Sequence, residues 1–463
     1  MDYAEPFDSL LARTLQHALQ YIAALPRTSV DATASLETLR SRLCTPLPAA
    51  PVDAVEVIDR LVADVRDGLT ASTGGRFFAW VIGGTVPAAL AADWLTSTWD
   101  QNAGMYRVSP AAAVVEEACG AWLLELFGLP RHCSFALVTG CQMAHVTCLA
   151  AARNALLARC GWDVEQRGLF GAPRLRVISS DQRHATVERA LRLLGFGRDC
   201  VVDLPGPLTA AGLEHELQRS DAPAIVLLQA GDINTGAFDD FETLLPIARR
   251  HGAWAHVDGA FGLWAAVSPE HARLSRGVEL ADSWATDGHK WLNVPYDCGY
   301  AFVSDRDAHA RAFGHKASYV THSELARDQV DWNPEYSRRA RGFATYAALK
   351  SLGRAGLADL VARCCRAARA IVAGAAQLPG VEVACEPVIN QGLLRFRGAD
   401  DADTDRRTEA VSAALAASGE ALFACTTWNG KRCMRVSVSG WRTSDEDVRQ
   451  TLQALARCLA QTA

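Results

Sequence analysis

The sequence predicts an α/β fold in which helices cover both faces of a mostly parallel sheet, followed by a smaller α+β domain. Two observations predict it. Seven short apolar segments alternate with amphipathic helical segments between residues 135 and 303, as is typical of buried parallel strands. From about Gly342 the pattern changes to one long helical segment and then to strand-like segments. The seven strand-like segments are 135–139, 175–178, 200–204, 224–229, 253–258, 283–286 and 299–303.

The two ends of the chain have different patterns. Residues 7–68 are predicted to form helices, because apolar residues recur at helical spacing between interrupting prolines. A helical segment this apolar is not expected to stand alone. At the other end the sequence predicts a helix over 343–378, a loop over 398–405, and strands at 381–383, 393–396 and 434–438. The predicted domains are therefore an N-terminal helical segment 1–75, a large domain 76–342 and a small α+β domain 343–463.

Composition limits the class of protein. The chain has 463 residues, 49% hydrophobic and 21% charged, with a formal net charge of −6. Such a chain is expected to be globular, with neither a nucleic acid nor an anionic membrane as partner. No apolar segment approaches the roughly 18 residues of a spanning helix, and residues 1–6 show no secretory signal. Its 14 cysteines are scattered without a Cys-x-x-Cys pair, which favours reduced thiols and a cytoplasmic location.

Two short motifs indicate the chemistry. Residues 287–293 read Asp-Gly-His-Lys-Trp-Leu-Asn, and an apolar strand upstream ends in His256-Val257-Asp258. A Lys preceded by His and followed by Trp is typical of the lysine that forms a Schiff base with pyridoxal phosphate (PLP). An Asp at the end of such a strand suits the pyridinium nitrogen of the same cofactor, and PLP chemistry needs both groups. Period-two alternation places His256 and Asp258 on one strand face without further ligands nearby in sequence, so no metal site is predicted.

A third motif makes the pair specific. Ser180–Ala190, which contains His184, follows a predicted strand and begins a helix. With these motifs the chain resembles the group II PLP-dependent amino-acid decarboxylases, which include the aromatic amino-acid, glutamate and tyrosine decarboxylases. The resemblance runs from about Leu61 to the end of the chain. It includes the segments Arg76–Phe78, Asp93–Trp99, Ser109–Ala111, Gly236–Asp239 and Ser337–Arg341.

The resemblance implies a fold, a cofactor and an assembly. The fold is the fold type I of PLP-dependent transferases, similar to aspartate aminotransferase, and the cofactor is pyridoxal 5'-phosphate. The implied assembly is a homodimer with active sites at the subunit interface, in which the N-terminal helices pack on the partner subunit. By family position Lys290 anchors the cofactor, Asp258 pairs with its ring nitrogen, and His184 stacks on its ring.

Further cofactor contacts are expected where strands end. The turn at residues 138–143 leads from a strand into a helix, whose free amides and positive dipole end suit a phosphate. By family position Cys141 and Gln142 contact the phosphate, and His289 is another candidate. Asp287, where relatives can carry Asn, is expected to act through its backbone or a water. Asn234 lies where relatives have a Thr-rich segment, and is also expected to contact the cofactor.

The substrate contacts are predicted from two regions. Arg435 matches a family arginine near the active site, and its guanidinium suits a carboxylate; the alternative is a strand arginine paired with a structural acid. Trp80 and Val81 fall where relatives place residues of the side-chain pocket, and a Trp offers a stacking face.

One departure from the family concerns the reaction. Relatives carry a tyrosine at the tip of a mobile loop, where it protonates the carbanion left by CO2 loss. The corresponding loop, 318–334, has Tyr319 at its base, and Tyr336 follows at its exit; neither matches the tip, and His322 is the substitute proton donor. The sequence therefore predicts decarboxylation of an L-amino acid to an amine. Alternatives are oxidative deamination to an aldehyde, transamination, a lyase reaction and, disfavoured by the intact motifs, a non-catalytic role.

Overall fold

Two β-sheets organise the chain. The computed structural model describes residues 7–314 and 326–462. The larger sheet has seven strands in the order β2-β8-β7-β6-β5-β3-β4, and the smaller has five in the order β1-β11-β12-β10-β9. The strands are β1 Phe77–Phe78, β2 Ser134–Val138, β3 Arg176–Ser180, β4 Val201–Leu204, β5 Ala224–Gln229, β6 Trp254–Asp258, β7 Ser283–Asp287, β8 Gly299–Val303, β9 Val381–Cys385, β10 Gln391–Phe396, β11 Leu422–Trp428 and β12 Lys431–Ser437.

The seven-stranded sheet confirms the predicted α/β fold. Strands β3 to β7 run parallel, and β8 pairs antiparallel with both β2 and β7. Each strand lies within one or two residues of its predicted position. In the central strands this is because burial on both faces gives an apolar run; Ile225, Val226 and Leu228 of β5 are 0% exposed. The carboxyl ends of the parallel strands share one edge, where the chain departs at Ser180, Gln229, Asp258 and Asp287.

Helices cover both faces of this sheet. The helices are α1 Phe7–Ala24, α2 Leu36–Leu43, α3 Ala54–Val65, α4 Pro87–Trp99, α5 Pro110–Leu126, α6 Cys141–Arg159, α7 Val164–Arg167, α8 Ala185–Leu193, α9 Ala210–Gln218, α10 Phe241–Arg250, α11 Arg306–Phe313, α12 Gly342–Ala375, α13 Asp401–Ser418 and α14 Asp445–Gln461. Helix α6 packs on β7 and β8 with α8 and α11 beside it, whereas α10 packs on β6 together with α9. Helix α12 lies between the two parts of the fold. It contacts α4 and α5 on one side, and α5 in turn contacts β2 of the larger sheet; on the other side it contacts β10 of the smaller sheet.

The small sheet departs from the prediction at two strands and one loop. Strands β1 and β11 were not predicted, and β1 brings residues of the predicted large domain into the small sheet by pairing with β11. The acidic residues 398–405 were predicted as a loop, which is wrong because α13 begins at Asp401. Asp400 caps this helix by accepting from the amide of Asp403, and acidic residues in a first turn favour the helix dipole. The predicted domain boundaries stay a proposal.

The N-terminal helices leave apolar side chains uncovered. No residue of α1, α2 or α3 is buried. Helices α1 and α3 are joined by Asp59, which pairs with Arg13 at 2.7 Å and with His17 at 2.6 Å. The exposed apolar residues on these two helices include Leu11, Leu15, Leu19, Val57 and Leu61. Among the described helices, none is long and apolar enough to span a membrane.

The end of the predicted mobile loop is packed. Gln329 and Asn333 are 1% and 4% exposed, and the carbonyl of Trp332 accepts a hydrogen bond from Nε2 of His309 at 2.9 Å. The prediction of mobility for residues 318–334 is therefore wrong for this end, because the backbone of 329–333 folds against α11. His322 and Tyr319 lie outside the described residues.

Candidate active site

Lys290 lies at the carboxyl edge of the seven-stranded sheet. It belongs to a single π-helical turn, Gly288–Leu292, that follows β7, and such turns are often found at functional sites. Asn293 ends the turn with a left-handed φ of 57°. Its Oδ1 accepts from the amides of Gly84 at 2.8 Å and Trp441 at 3.0 Å, and its Nδ2 donates to the carbonyl of Ser439 at 3.0 Å. Asn293 thus ties the lysine turn to two distant segments.

A glycine on the other side of the turn sets how closely the chain can approach. Gly83 lies against the carbonyls of His289 and Lys290, and a Cβ at this position would overlap the Lys290 oxygen. Backbone contact this close requires glycine. The segment that carries Trp80 and Val81 is therefore held directly against the lysine turn.

The amine of Lys290 faces a carboxylate. Its Nζ lies 3.1 Å from Oδ2 of Asp287, and the Lys290 side chain is 17% exposed whereas that of Asp287 is 3% exposed. Burial alone lowers the pKa of Lys290, but the charges of Asp287 and Asp258 raise it above the ordinary value. The structure therefore holds a protonated lysine at this edge, with its charge balanced by neighbouring carboxylates.

Asp287 also occupies the amino end of α6. The backbone amide of Cys141, the first residue of this helix, donates to Oδ1 of Asp287 at 2.6 Å. Nε2 of His289 lies 3.4 Å from the same oxygen, while its Nδ1 accepts from the amide of Cys298 at 3.2 Å. Burial lowers the pKa of His289, so the neutral ring carries its hydrogen on Nε2. An anion at this position has a helix amide and an imidazole N–H to bind.

Asp258 and His184 converge on the same edge. His184 is the N-cap of α8, where its Nδ1 accepts from the amide of Thr186 at 3.3 Å. Burial lowers the pKa of His184; the nearby charge of Asp258 opposes this effect, whereas those of Lys290 and Arg435 lower the pKa further. The structure thus brings together His184, Asp258, Lys290 and Arg435, which lie up to 251 positions apart in the sequence.

The loop after β5 contributes one charged and one neutral side chain. Asp232 is 5% exposed, and its Oδ1 accepts from Thr235 and from the amide of Asn234. Oδ1 of Asn234 accepts from Oγ1 of Thr426 at 2.9 Å. The predicted cofactor contact of Asn234 stays a prediction. Residues 181–185, 233–234 and 427–429 line a cleft of about 450 Å³.

Arg435 enters the site from β12. Its side chain is 6% exposed, and its Nε is buried without a hydrogen-bond partner among the described residues. Burial lowers the pKa of Arg435, and the nearby Asp232 opposes this effect. A buried guanidinium nitrogen without a partner is costly unless a ligand completes it. This arrangement suits a carboxylate.

Comparisons with known proteins agree with this geometry. The sequence profile of the pyridoxal-dependent decarboxylase conserved domain matches residues 40–397. This chain belongs to the pyridoxal-dependent decarboxylase family. Tyrosine decarboxylase 2 of Arabidopsis thaliana is 26% identical, with 98% of this chain and 88% of that protein covered. An acidic amino acid decarboxylase of Bos taurus is 29% identical over 72% of this chain and 66% of that protein.

Solved structures show the same fold. Tryptophan decarboxylase of Oryza sativa, crystallised with PLP and tryptamine, superposes with a TM-score of 0.93 at 23% identity, covering 100% of this chain and 99% of that one. The 4-hydroxyphenylacetaldehyde synthase of Rhodiola rosea superposes with a TM-score of 0.88 at 21% identity, covering 100% and 98%. The predicted family, fold and PLP cofactor are confirmed.

The residues of this decarboxylase fit PLP. PLP requires three kinds of group from the protein. Its aldehyde requires a lysine amine, its ring nitrogen a carboxylate, and its phosphate a helix amide such as the one beside the imidazole here. Gly140 lies close to the ring of His289. A Cβ added at Gly140 would be 3.0 Å from Cε1 of His289. The thiol of Cys141 points away from this place, with its Sγ 3.8 Å from Oδ1 of Asp258. The backbone amide of Cys141, rather than its thiol, therefore faces this place, where it donates to Oδ1 of Asp287.

Three predicted residues have less defined positions in this decarboxylase. Trp80 is 55% exposed with a left-handed φ of 52°, and Val81 is 4% exposed within the hydrophobic core. Gln142 is half-buried at the second position of α6. Their roles in binding stay predictions.

One cluster of the decarboxylase has donor atoms close enough to hold a metal ion. Among the residues that the structure describes, single donor atoms of Cys141, His145 and Asp258 lie within 4.8 Å of one another. Metal binding by cysteine requires a thiolate. Burial raises the pKa of the Cys141 thiol well above its ordinary value, and Asp258 raises it further. We therefore interpret the cluster as hydrogen-bonded.

Sequence reasoning did not find two residues of this site. His145 contacts Asp258 from α6, and Asn293 fixes the lysine turn. Asn293 carried a signal, since an Asn after the lysine motif can adopt the left-handed conformation that ends a helical turn. His145 carried none, because its partners Asp258 and His256 are more than 100 positions away.

Proposed function

We propose that this PLP-dependent decarboxylase converts an L-amino acid to the corresponding amine and CO2. The observation that carries the proposal is the convergence of Lys290, Asp258 and His184 at one sheet edge. Bound PLP supplies the electron sink that accepts the electron pair left when CO2 departs. The chain's own residues supply its attachment, its orientation and the handling of protons.

Each residue has one task in this proposal. The amine of Lys290 holds the cofactor, and the carboxylate of Asp258 keeps the ring nitrogen protonated. His184 covers one face of the ring. The amide of Cys141 and the Nε2–H of His289, which contact Oδ1 of Asp287 in the structure, bind the phosphate when the cofactor is present, with Gln142, Asn234 and Asp287 at its rim.

Arg435 binds the substrate. Proton transfer to the carbon that loses CO2 determines whether the product is the amine. The unpartnered Nε–H of Arg435 donates a charge-assisted hydrogen bond to the substrate carboxylate. Trp80 and Val81 border the side-chain pocket, which suits an acidic, aromatic or related amino acid. His322 is the proposed proton donor to the carbon that loses CO2.

A second candidate function is oxidative deamination coupled to decarboxylation. The sequence lacks a tyrosine at the tip of the loop 318–334, and one structural neighbour is an aldehyde synthase. This reaction consumes O2 and yields an aldehyde, CO2, ammonia and hydrogen peroxide. It differs from amine formation only after CO2 is lost, so the same residues bind the substrate in both.

The proposal extends to assembly and location. The uncovered apolar residues on α1 and α3 pack against a second copy of the chain, which gives a homodimer with the active sites near the interface. All 14 cysteines are free thiols, which fits a reducing compartment such as the cytoplasm.

The experiment that tests the function is a product screen. Purified holoenzyme is incubated with each of the twenty amino acids, cysteine sulfinate and 2,4-diaminobutyrate, while CO2, amine, aldehyde and dissolved O2 are measured. Equal yields of CO2 and amine without O2 consumption support the main proposal. CO2 with aldehyde and O2 consumption supports the second candidate, and a keto acid without CO2 contradicts both.

A further inference from the structure

A line of buried side chains lies behind Asp258. Nε2 of His145 is 3.5 Å from Oδ2 of Asp258, and Nδ1 of His145 is 2.9 Å from Nε2 of His256. Nδ1 of His256 is in turn 2.9 Å from Oγ of Ser283. His145, His256 and Ser283 are each 0% exposed, so solvent does not compete for these hydrogen bonds. They lie on α6, β6 and β7, which fixes their spacing through the sheet itself.

The hydrogens along this line can be assigned in two ways. Burial and His145 lower the pKa of His256 to about 3, so His256 is neutral and has one N–H. If Ser283 donates to His256, then His256 donates to His145, whose own hydrogen lies on Nε2. If His256 donates to Ser283, then Nδ1 of His145 donates to His256. Nε2 of His145 then faces both Oδ2 of Asp258 and the thiol of Cys141, whose Sγ lies 3.4 Å away and can donate to it.

The first assignment directs an N–H of His145 at Asp258, and the distance of 3.5 Å between Nε2 and Oδ2 favours it. The other oxygen of Asp258 has different partners, since Oδ1 accepts from the amide of Ala260 at 3.1 Å and from the thiol of Cys141 at 3.8 Å. Burial raises the pKa of Asp258, but His145, with smaller effects from His184 and Lys290, lowers it overall. The His145 contact is therefore the main interaction that keeps this carboxylate ionised.

We propose that His145, supported by His256 and Ser283, is a positioning residue that holds Asp258 ionised and oriented for the cofactor's ring nitrogen. This inference rests on the proposed role of Asp258. His145 contacts neither substrate nor cofactor, because Asp258 lies between it and the open edge of the site. Residues that orient a functional group in this way commonly contribute about 10- to 100-fold to activity.

The test uses two substitutions that differ in where an amide nitrogen falls. In His145→Gln the side-chain NH2 takes the place of Nε2 and still donates to Asp258. In His145→Asn it takes the place of Nδ1, so the contact with Asp258 is lost. Both variants and the wild type are loaded with PLP labelled with 15N in the ring. The 15N chemical shift then reports ring protonation directly, without turnover.

We expect His145→Asn to shift the 15N resonance towards that of unprotonated pyridine and to lower kcat by about 10-fold or more, with KM nearly unchanged. His145→Gln should keep the wild-type resonance and most of kcat. Equal resonances in wild type and His145→Asn would overturn the inference. Equal losses of kcat in the two variants would also overturn it, because a packing role does not depend on the position of an N–H.

Two reference variants separate the possible failures. Asp258→Asn should shift the resonance at least as far as His145→Asn does. A protonated ring in Asp258→Asn contradicts the proposed function, whereas a shift there with none in His145→Asn contradicts the inference alone. If both His145 variants fail to fold, His256→Asn decides, since it removes the support of His145 and leaves His145 in place. A smaller shift in the same direction supports the inference, and an unchanged resonance overturns it.

Discussion

At the scale of single residues, the site depends on Lys290 and the groups that fix it. The chain has four lysines, Lys290, Lys316, Lys350 and Lys431. Lys290 alone among the described three lies beside Asp287 within reach of Asp258. Its turn is fixed by Asn293 on one side and Gly83 on the other. The amine therefore has a defined position before any cofactor binds.

Substituting this lysine should remove the attachment. We expect Lys290→Ala to lose the visible absorbance band of the bound cofactor and all turnover, because no other amine lies at this edge among the described residues. Lys350→Ala, whose side chain lies on the surface near Trp122, should keep both. Absorbance spectra and CO2 release measure the two properties, and a visible band retained by Lys290→Ala would rule this lysine out as the anchor.

The carboxylate at the end of β6 should matter for rate more than for binding. We expect Asp258→Asn to bind the cofactor and to lose kcat on the order of 10²-fold, about 2.7 kcal/mol, because a neutral amide does not hold the ring nitrogen protonated. Steady-state kinetics at saturating cofactor check this expectation. A near-normal rate would show that the reaction does not need this carboxylate.

The sequence could predict those site residues that lie in a recognisable local motif. Lys290, Asp258 and His184 lie in motifs that combine a strand end with a characteristic dipeptide, and the structure brings them together. His145 reads as an ordinary residue of an apolar helix in the sequence. Its importance arises from contact with Asp258 and His256, which lie 113 and 111 positions away, so only the folded sheet shows it.

At the scale of elements, the lysine turn depends on close backbone packing. We expect Gly83→Ala to lower the melting temperature and to weaken the visible band, because a Cβ there overlaps the carbonyl of Lys290. Gly197→Ala is the matched control, since Gly197 has open space around it and an ordinary negative φ. Thermal unfolding and absorbance compare the two variants; equal effects would mean that Gly83 is not a packing constraint.

The junction of α11 with residues 329–333 should respond to pH. Burial, with the charges of Arg327 and Arg306, lowers the pKa of His309 to about 3. The unfolded chain therefore binds a proton between about pH 6.5 and 3 that the folded protein does not, and stability is lost as the pH falls through this window. We expect the free energy of unfolding to fall by about 2 kcal/mol between pH 6.5 and 5 on account of this group.

His309→Gln isolates the effect of this one group. Glutamine does not titrate, so the difference in unfolding free energy between wild type and variant should become smaller as the pH falls from 7 to 5. Denaturant unfolding at the two pH values gives this difference. A difference that does not change with pH would contradict a buried neutral His309.

Helices and strands with strong apolar periodicity were predictable from the sequence. Those that depend on pairing with another strand or on capping were not. All seven strands of the large sheet were found: six are largely buried and read as short apolar runs, and the partly exposed edge strand β4 was found from Val201, Val202 and Leu204. Strand β11 was missed because its residues 424–428 alternate weakly and depend on pairing with β12. Helix α13 was missed because its acidic first turn, Asp401 to Asp405, was interpreted as a loop, although acidic residues favour a helix start.

At the scale of the whole molecule, the uncovered N-terminal helices predict the assembly. We expect the wild type to be a dimer at working concentrations, with a total interface above about 1,000 Å². Leu19→Glu combined with Leu61→Glu should yield monomers with reduced activity, because both side chains belong to the apolar surface of α1 and α3. Leu280→Glu, at a similarly exposed Leu elsewhere, should stay dimeric. Light scattering measures the mass, and a fully active wild-type monomer would contradict the proposed assembly.

The central claim is that this fold carries PLP on one lysine. Borohydride reduction of the holoenzyme fixes the cofactor permanently to its lysine, and peptide mass spectrometry then identifies the modified residue. Because the chain has four lysines, each is distinguishable. The account predicts that the pyridoxyl group is found on the peptide that contains Lys290 and on no other. A holoenzyme with its visible band intact but labelled at Lys316, Lys350 or Lys431 would contradict it.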